Sequence, residues 1–342
     1  MGHLATMADA AAVAGSTSRD VAMVLAADPR VPSDLRHRIV DAIDTTGYRP
    51  LAAIQARLGR PLRFAIVFKT YQNDDPEANR FYTPIASAIA IACAERGAAI
   101  RQAMMIVDDQ FELIEVPSAL TDGTYDGAFF IGTRLHAAAL EEMHAICPIV
   151  LVDGYADGDS ADSVVIDNFA GATMAVEHLV AAGHRDIGLI GTEPICYRSV
   201  QDRRMGYAEA LGSRGLAPHF IDASYILPEA VAVIGVDYVQ RHPAVTAIFG
   251  VTDLVTIAFM QQARDAGLRI PADLSLVGFD DIDLASLVMP ALTTVAVDKR
   301  LMGRAAFALL THRLELPAAA PVEAVVVPRL IERESVVAPL SR

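Results

Sequence analysis

Residues 6–25, TMADAAAVAGSTSRDVAMVL, carry one start signal twice, at Thr6-Met-Ala-Asp9 and again at Thr17-Ser-Arg-Asp20. Each has capping-box spacing: a Thr hydroxyl accepts from the backbone N–H three residues on, and the acid there reaches back. Helix one is predicted to run to about Ala14, with Gly15 supplying the left-handed stop. Helix two runs to about Ala27 and buries Val21, Val24 and Leu25. Two short helices joined by so tight a turn have helix-turn-helix geometry. A third helix begins at Ser33, lines up Leu35, Ile39, Val40 and Ile43 on one face, and ends near Gly47. Three helices sharing one apolar face make a mini-domain of about 45 residues, small enough to need help from its neighbours.

Outward from that head, the chain is long enough for two or three cores at 342 residues. Hydrophobic residues make up 53% and charged residues 20%, the composition of a folded globular protein. The net charge is −14, yet residues 1–60 hold seven Arg against six Asp, with no Lys or Glu, leaving −15 for the rest. The remainder is therefore acidic and the head is near neutral, low for a DNA binder. Screening limits the reach of distant acids to about 8–10 Å, so local charge is what a phosphate would feel. No basic segment precedes an apolar run at the start, no stretch approaches a membrane span, and Cys93, Cys147 and Cys196 are scattered. These features predict a cytoplasmic protein with reduced thiols and no membrane association.

From Phe64 short apolar runs alternate with helical periods. Strands are predicted at 64–68, 103–107, 127–131, 149–152, 164–166, 187–190, 247–249, 276–279 and 294–297. Helical segments include 81–95, 170–182, 199–211 and 254–266. This alternation argues an α/β class with parallel sheets covered on both faces. Some 270 residues are too many for one such sheet, so two lobes are expected.

At this point the head, with Asp9, Ala11, Ala14-Gly15, Val21 and Val24-Leu25, resembles that of the LacI/GalR regulators, as does Gly47-Tyr48-Arg49-Pro50 after it. The sensor resembles the type I periplasmic-binding-protein fold of that family. Its markers are Val165-Ile-Asp-Asn168, Gly183-His184-Arg185, Arg203-Arg-Met-Gly-Tyr207, and Val277-Gly-Phe-Asp-Asp281 followed by Pro290-Ala-Leu-Thr-Thr294. The resemblance implies a head over 1–49, a hinge over 50–61 and a two-lobed ligand-binding and dimerisation domain over 62–342. The chain would cross three times between the lobes, with ligand in the cleft at the strand ends. It implies a homodimeric repressor whose hold on pseudo-palindromic operator DNA is set by a small polar effector, a sugar or sugar derivative.

The resemblance also places residues. Thr6, Thr17, Ser18, Arg19, Tyr48 and Arg49 fall at DNA-facing positions. Arg19 is suited to fork onto guanine O6/N7. Met23 stands where the family commonly has an Arg, so one base contact is lost or becomes apolar. The hinge is Ala- and Gln-rich. Leu58 either wedges into the minor groove or packs on Ile54, since it lies one residue beyond the usual spacing. Arg203 falls where the family forks a guanidinium onto ligand oxygens. Asp280 and Asp153 end buried strands as acceptors, Asp281 being the alternative cap beside the former. Asp253 either meets ligand or caps the helix beginning at Leu254. Phe81, Tyr82 and Tyr225 either stack on a ligand or pack in the core. The long acidic loop 69–80 is placed at a cleft edge.

No CxxC, HExxH, GxSxG, P-loop or GxGxxG is present, and no nucleophile–base pair is visible, so neither enzyme activity, a cofactor nor a metal is expected. His136 and His144 lie eight apart on a predicted helix without further ligands. Two other readings use the same sensor: a transporter's solute-binding protein, which needs a signal peptide and no head, and a sensor whose head no longer binds operator.

Overall fold

The computed structural model describes residues 5–25, 28, 30–48, 51, 54–55, 58–70, 80–107, 113–115, 120, 123–135, 137–156, 161–194 and 196–339. Arg49, His136 and positions 71–79 of the acidic loop lie outside the described residues, and so does the side chain of Leu25.

In chain order the head comprises α1 (Met7–Ala14), α2 (Ser18–Leu25) and α3 (Ser33–Thr46). Then come β1 (Arg63–Thr70), α4 (Tyr82–Glu95), β2 (Ala99–Val107), β3 (Leu113–Glu115), β4 (Gly127–Ile131), β5 (Arg134–Leu135), α5 (Ala137–Ile146), β6 (Ile149–Val152), β7 (Tyr155–Ala156) and β8 (Asp162–Ile166). Next are α6 (Asn168–Ala181), β9 (Ile187–Thr192), α7 (Arg198–Gly212), β10 (His219–Asp222), α8 (Pro228–Arg241), β11 (Ala247–Gly250) and α9 (Asp253–Asp265). The chain closes with β12 (Ser275–Asp280), α10 (Asp283–Leu287), β13 (Thr293–Ala296), α11 (Lys299–Glu315), β14 (Glu323–Val326) and β15 (Arg329–Ile331).

Both capping boxes form. Asp9 N donates to Thr6 Oγ1 and Thr6 N to Asp9 Oδ2, at 3.2 and 2.7 Å. Thr17 and Asp20 repeat the pattern at 3.2 and 2.9 Å. Gly15 and Gly47 both take the left-handed conformation after their helices, at φ 60 and 66, where a side chain would be strained. Val21, Val24, Val31 and Ile39 with Ala11, Ala14 and Ala42 form the head's own buried cluster.

The chain divides into two compact units, residues 1–165 with 299–324, and residues 166–298 with 325–342. The boundaries therefore give three passages of the chain between units, as expected. The first unit holds a seven-stranded sheet, order β14-β8-β6-β4-β1-β2-β3, and the second a six-stranded sheet, order β10-β9-β11-β12-β13-β15. Neighbours from β2 through β8, and from β10 through β13, pair in parallel, while β3 and β15 pair antiparallel at the edges. The strands β4, β6, β8, β9, β11 and β12 are buried at every position, which is why they read as continuous apolar runs. The strand β10 and the helices α8 and α11 were not anticipated: His219–Asp222 is too short and polar to stand out, and both helices are apolar around more than one face.

In each sheet the strand order reverses once, between β1 and β4 in the first unit and between β9 and β11 in the second. Open α/β sheets hold ligands beyond the carboxyl ends of strands at such a reversal. The residues just past β4, β6, β9, β11 and β12 are therefore the ones the fold positions for binding.

Candidate functional site

Backbone strain marks the same places. Among the described residues the non-glycine residues with positive φ are Asp153 (47°), Asp280 (114°) and Asp281 (51°), all at the carboxyl ends of β6 and β12. Conformations of this kind cost on the order of 1–3 kcal/mol each and concentrate at functional sites.

In the second unit the polar set centres on Arg203, on α7 and only 4% exposed. Its Nε donates to Asn168 Oδ1 at 2.8 Å and its Nη1 to the Val251 carbonyl at 2.5 Å, just past β11. Nη1 lies 3.5 Å from Asp280 Oδ1. The guanidinium carbon stacks 3.7 Å over the Phe279 ring. Nε and Nη1 are thus committed, and Nη2 takes no protein acceptor among the described residues. The plane of the fork is fixed while one of its ends is left to donate.

Asp253 is wholly buried. Its oxygens accept from Thr294 Oγ1 at 2.5 Å and from the Ile282 backbone N–H at 2.9 Å. Gly278 makes the room: a Cβ there would stand 2.2 Å from Asp253 Oδ1. Burial, and then the neighbouring Asp280 charge, push the Asp253 carboxyl far above the usual carboxylate range, against the opposing Thr294 and Ile282 hydrogen bonds. Arg203 pairs with Asp280, and Asp281 is matched by Arg333 at 2.6 Å.

In the first unit Tyr82, opening α4, donates its hydroxyl to Asp153 Oδ2 at 3.0 Å. Asp153 is 4% exposed. The Tyr82 ring lies against Gly132, just past β4 at φ 67, where a Cβ would come within 2.5 Å of the ring. Phe81 meets Tyr82 edge to face at 5.2 Å, and Lys299 Nζ stands 5.3 Å over the Phe81 ring. Gly132→Ala is therefore expected to lift Tyr82 off Asp153 and to cost about 1–3 kcal/mol from φ and overlap together. Chemical denaturation checks the cost; a change within about 0.3 kcal/mol would show that the ring moves freely.

In the head, Thr6, Thr17, Ser18 and Arg19 are exposed. Both threonine hydroxyls are used in their capping boxes. Arg19 has no hydrogen bond or ion pair among the described residues.

The other site candidates are placed by their neighbours. Met23 packs against the head's buried cluster, because the α2 face carrying Val21 and Val24 is wide enough to include it. Tyr48 is 5% exposed and so does not present its ring at the surface; burial, then the Glu315 charge, push its hydroxyl up to about 12. Tyr225 packs against the second unit's core. Asp253 is not a cap, since Thr252 caps α9 by accepting from Val255 N at 3.2 Å, and it is enclosed by protein. Asp281 pairs with Arg333 at 2.6 Å. Leu58 is 42% exposed. His144 is exposed, and among the described residues no His, Cys, Asp and Glu group has the makings of a metal site. Sequence reasoning gave no role to Asn168, Thr294 or Phe279. Asn168 lay inside a quoted marker, but its partner is 35 positions away and only the fold joins them.

Residues 176–336 match the model of the periplasmic binding protein-like domain. Over 317 residues the chain is 29% identical to the HTH-type transcriptional repressor CytR of Escherichia coli (strain K12), covering 91% of this chain and 90% of CytR. The ribose operon repressor of Haemophilus influenzae is 27% identical over 340 residues, 97% of this chain and 99% of the repressor. A solved complex of the transcriptional regulator CelR with cellobiose superposes with a TM-score of 0.66 at 26% identity, over 97% of this chain and all of CelR. The fold, the helix-turn-helix head and these similarities over nine-tenths or more of the chain agree: along almost its whole length the chain is similar to transcriptional regulators of the LacI/GalR type.

Proposed function

We propose that the protein is a sequence-specific operator-binding repressor whose DNA affinity is set by an uncharged, hydroxyl-rich ligand of the sugar class. The supporting observation is the Arg203 set. A buried guanidinium is clamped on two sides with Nη2 left to donate, beside a strained carboxylate that balances its charge. The Arg203 charge is met by Asp280 within the protein, which suits a neutral ligand, and paired donor and acceptor groups suit vicinal hydroxyls. CytR and the ribose operon repressor are named as repressors, and CelR was solved with cellobiose.

Residues 1–49 are the proposed DNA-binding domain, with Thr6, Thr17, Ser18, Arg19 and Arg49 toward DNA and Leu58 as the hinge wedge. Arg203 and Asp280 are the proposed ligand contacts of the second unit, with Asp253 positioning the turn after β12. Tyr82, Asp153 and Phe81 are those of the first. Such a protein is not an enzyme, needs no cofactor, and works in the cytoplasm. A homodimer, matching a two-fold operator, is supported by apolar side chains left exposed on the second unit: Leu287 and Met289, 72% and 76% exposed, and Val233 and Ile234 on α8. A ligand shifts DNA affinity only by binding two states unequally.

The reading is tested by titrating the purified protein onto DNA upstream of its own gene at stated salt, with and without the sugar or nucleoside that most raises its melting temperature. Specific binding that the stabilising compound changes is the expected result. Binding no tighter than to unrelated DNA would leave only a sensor.

A further inference from the structure

Arg203 has a neighbour that the ligand-facing set does not use. Successive residues on a helix point about 100° apart, so Arg204 leaves α7 on a different side. Its guanidinium carbon stacks 3.7 Å over the Phe220 ring on β10. Its Nη1 donates to Asp222 Oδ1 at 2.5 Å and to Thr192 Oγ1 at 3.4 Å. Thr192 and Asp222 are the last residues of β9 and β10. The Arg204 side chain is 18% exposed, which makes it a packed contact and not a solvated surface charge.

In the sheet β9 lies between β10 and β11. Arg204 therefore holds the carboxyl ends of β9 and β10, while Arg203 holds Val251 just past β11. The two arginines straddle the end of β9, beside the strand reversal where such sheets place ligand. The end of β9 is shaped to join the two grips. Ile221 pairs with Ile190 but Asp222 with Thr192, which leaves Gly191 as a bulge at φ 88. There β9 runs close against Val251: a Cβ on Gly191 would stand 2.8 Å from Val251 Cγ2. Val251 N donates to the Ile190 carbonyl at 3.1 Å, and Ala223 N to the Thr192 carbonyl at 2.9 Å. Contacts thus run without a break from Arg204 through the end of β9 to Val251 and Arg203. The later turns of α7 are anchored separately. The Tyr207 hydroxyl donates to the Ile187 carbonyl at 2.6 Å and accepts from His219 N at 2.8 Å, at the amino ends of β9 and β10. That anchor leaves the earlier turns, which carry Arg203, to be placed by Arg204.

We propose that Arg204 is a positioning residue for the Arg203 fork: by tying α7 to the ends of β9 and β10 it fixes the place from which Arg203 reaches Asn168, Val251 and Asp280. Arg204 touches no ligand in this role. Its worth lies in where it holds its neighbour, because a fork displaced by about 1 Å no longer meets its acceptors. That the fork serves a sugar-class ligand rests on the function proposed above; that Arg204 holds the fork does not.

The test first reads Arg203 in the full chain without any ligand. Its Nε–H, buried and bonded to Asn168, gives a side-chain NMR signal identified by its loss in Arg203→Lys. In Arg204→Gln that proton should exchange with solvent roughly tenfold faster than in wild type. Asp222→Asn, the milder change at the more exposed partner, should act in the same direction, and it decides the matter if Arg204→Gln does not fold. The melting temperature of Asp222→Asn should fall by no more than about 4 °C, the scale of a partly exposed ion pair. Arg204→Lys, which keeps a charge facing Asp222, should recover part of the protection. An Arg203 Nε–H that exchanges as in wild type in the folded variants, or faster exchange spread evenly over the second unit, would overturn the proposal. Calorimetric titrations with D-ribose and with cellobiose then carry it to binding. A sugar that binds wild type should bind Arg204→Gln, or Asp222→Asn in its place, roughly tenfold more weakly. The same change made in Arg203→Lys should add no further loss, and additive losses would make Arg204 an independent contact and sink the positioning role. Protection lost as expected in a protein that binds neither sugar upholds the positioning role and counts against the sugar reading alone.

Discussion

Arg203→Lys is expected to fold and to lose the thermal response to whichever ligand stabilises the wild type, whereas Arg203→Ala is expected not to yield a stable second unit. The alanine variant takes the guanidinium away from three buried groups at once: Asn168 Oδ1, the Val251 carbonyl and the Asp280 carboxylate. Removing one partner from a buried pair costs about 3–5 kcal/mol, a large part of the roughly 5–15 kcal/mol that holds a domain folded. An unresponsive alanine variant would therefore say nothing about ligand. Lysine keeps the charge beside Asp280 and loses the planar fork, which alone can bridge Asn168 and Val251, stack on Phe279 and still extend a donor. A charge-assisted hydrogen bond is worth about 1.5–3 kcal/mol, so ligand affinity should fall roughly 10- to 150-fold. Calorimetric titration with the stabilising ligand measures it. If Arg203→Lys binds that ligand as the wild type does, Nη2 is not a ligand donor and the Arg203 set is structural.

How far the sequence carried this picture depends on the range of the interactions involved. The capping boxes at Thr6 and Thr17 were legible because both partners lie three residues apart, and every such local bond formed. The buried strands were legible because burial on both faces leaves only one kind of residue. Arg203 and Asp280 came from the family resemblance, and what the structure adds is why they meet. The enclosure of Asp253 was not legible, because it depends on Gly278 and Thr294, 25 and 41 positions downstream. The packing of Met23 and the burial of Tyr48 were not legible for a related reason. Which way a side chain faces at the rim of an amphipathic helix, or in a linker, is decided by the neighbour it meets. Strain at Asp153 and Asp280 had no sequence signal, since aspartate is also common where the backbone is relaxed.

Arg19→Ala should cost the operator complex about 1–3 kcal/mol, roughly 5- to 150-fold in affinity, and relax discrimination at one base pair. The reason lies in what α2 has left to offer. Val21 and Val24 are buried and Met23 leans on the same cluster, so the middle of the helix contributes no polar reader. The first turn holds Thr17 and Ser18, whose short hydroxyls reach phosphates or a single base edge, and Arg19, exposed and without a protein partner among the described residues. One guanidinium then carries most of the direct hydrogen-bond readout, and its five donors fit the two acceptors of guanine. With the head near neutral, the electrostatic component of binding is modest. Loss of Arg19 should therefore show up as lost preference more than as lost general affinity. Competition titrations at one fixed salt concentration, operator against scrambled duplex, give the ratio directly. A drop confined to the operator supports base reading. Equal drops on both duplexes, with a shallower salt dependence, would make Arg19 a phosphate contact and leave sequence choice to the hinge.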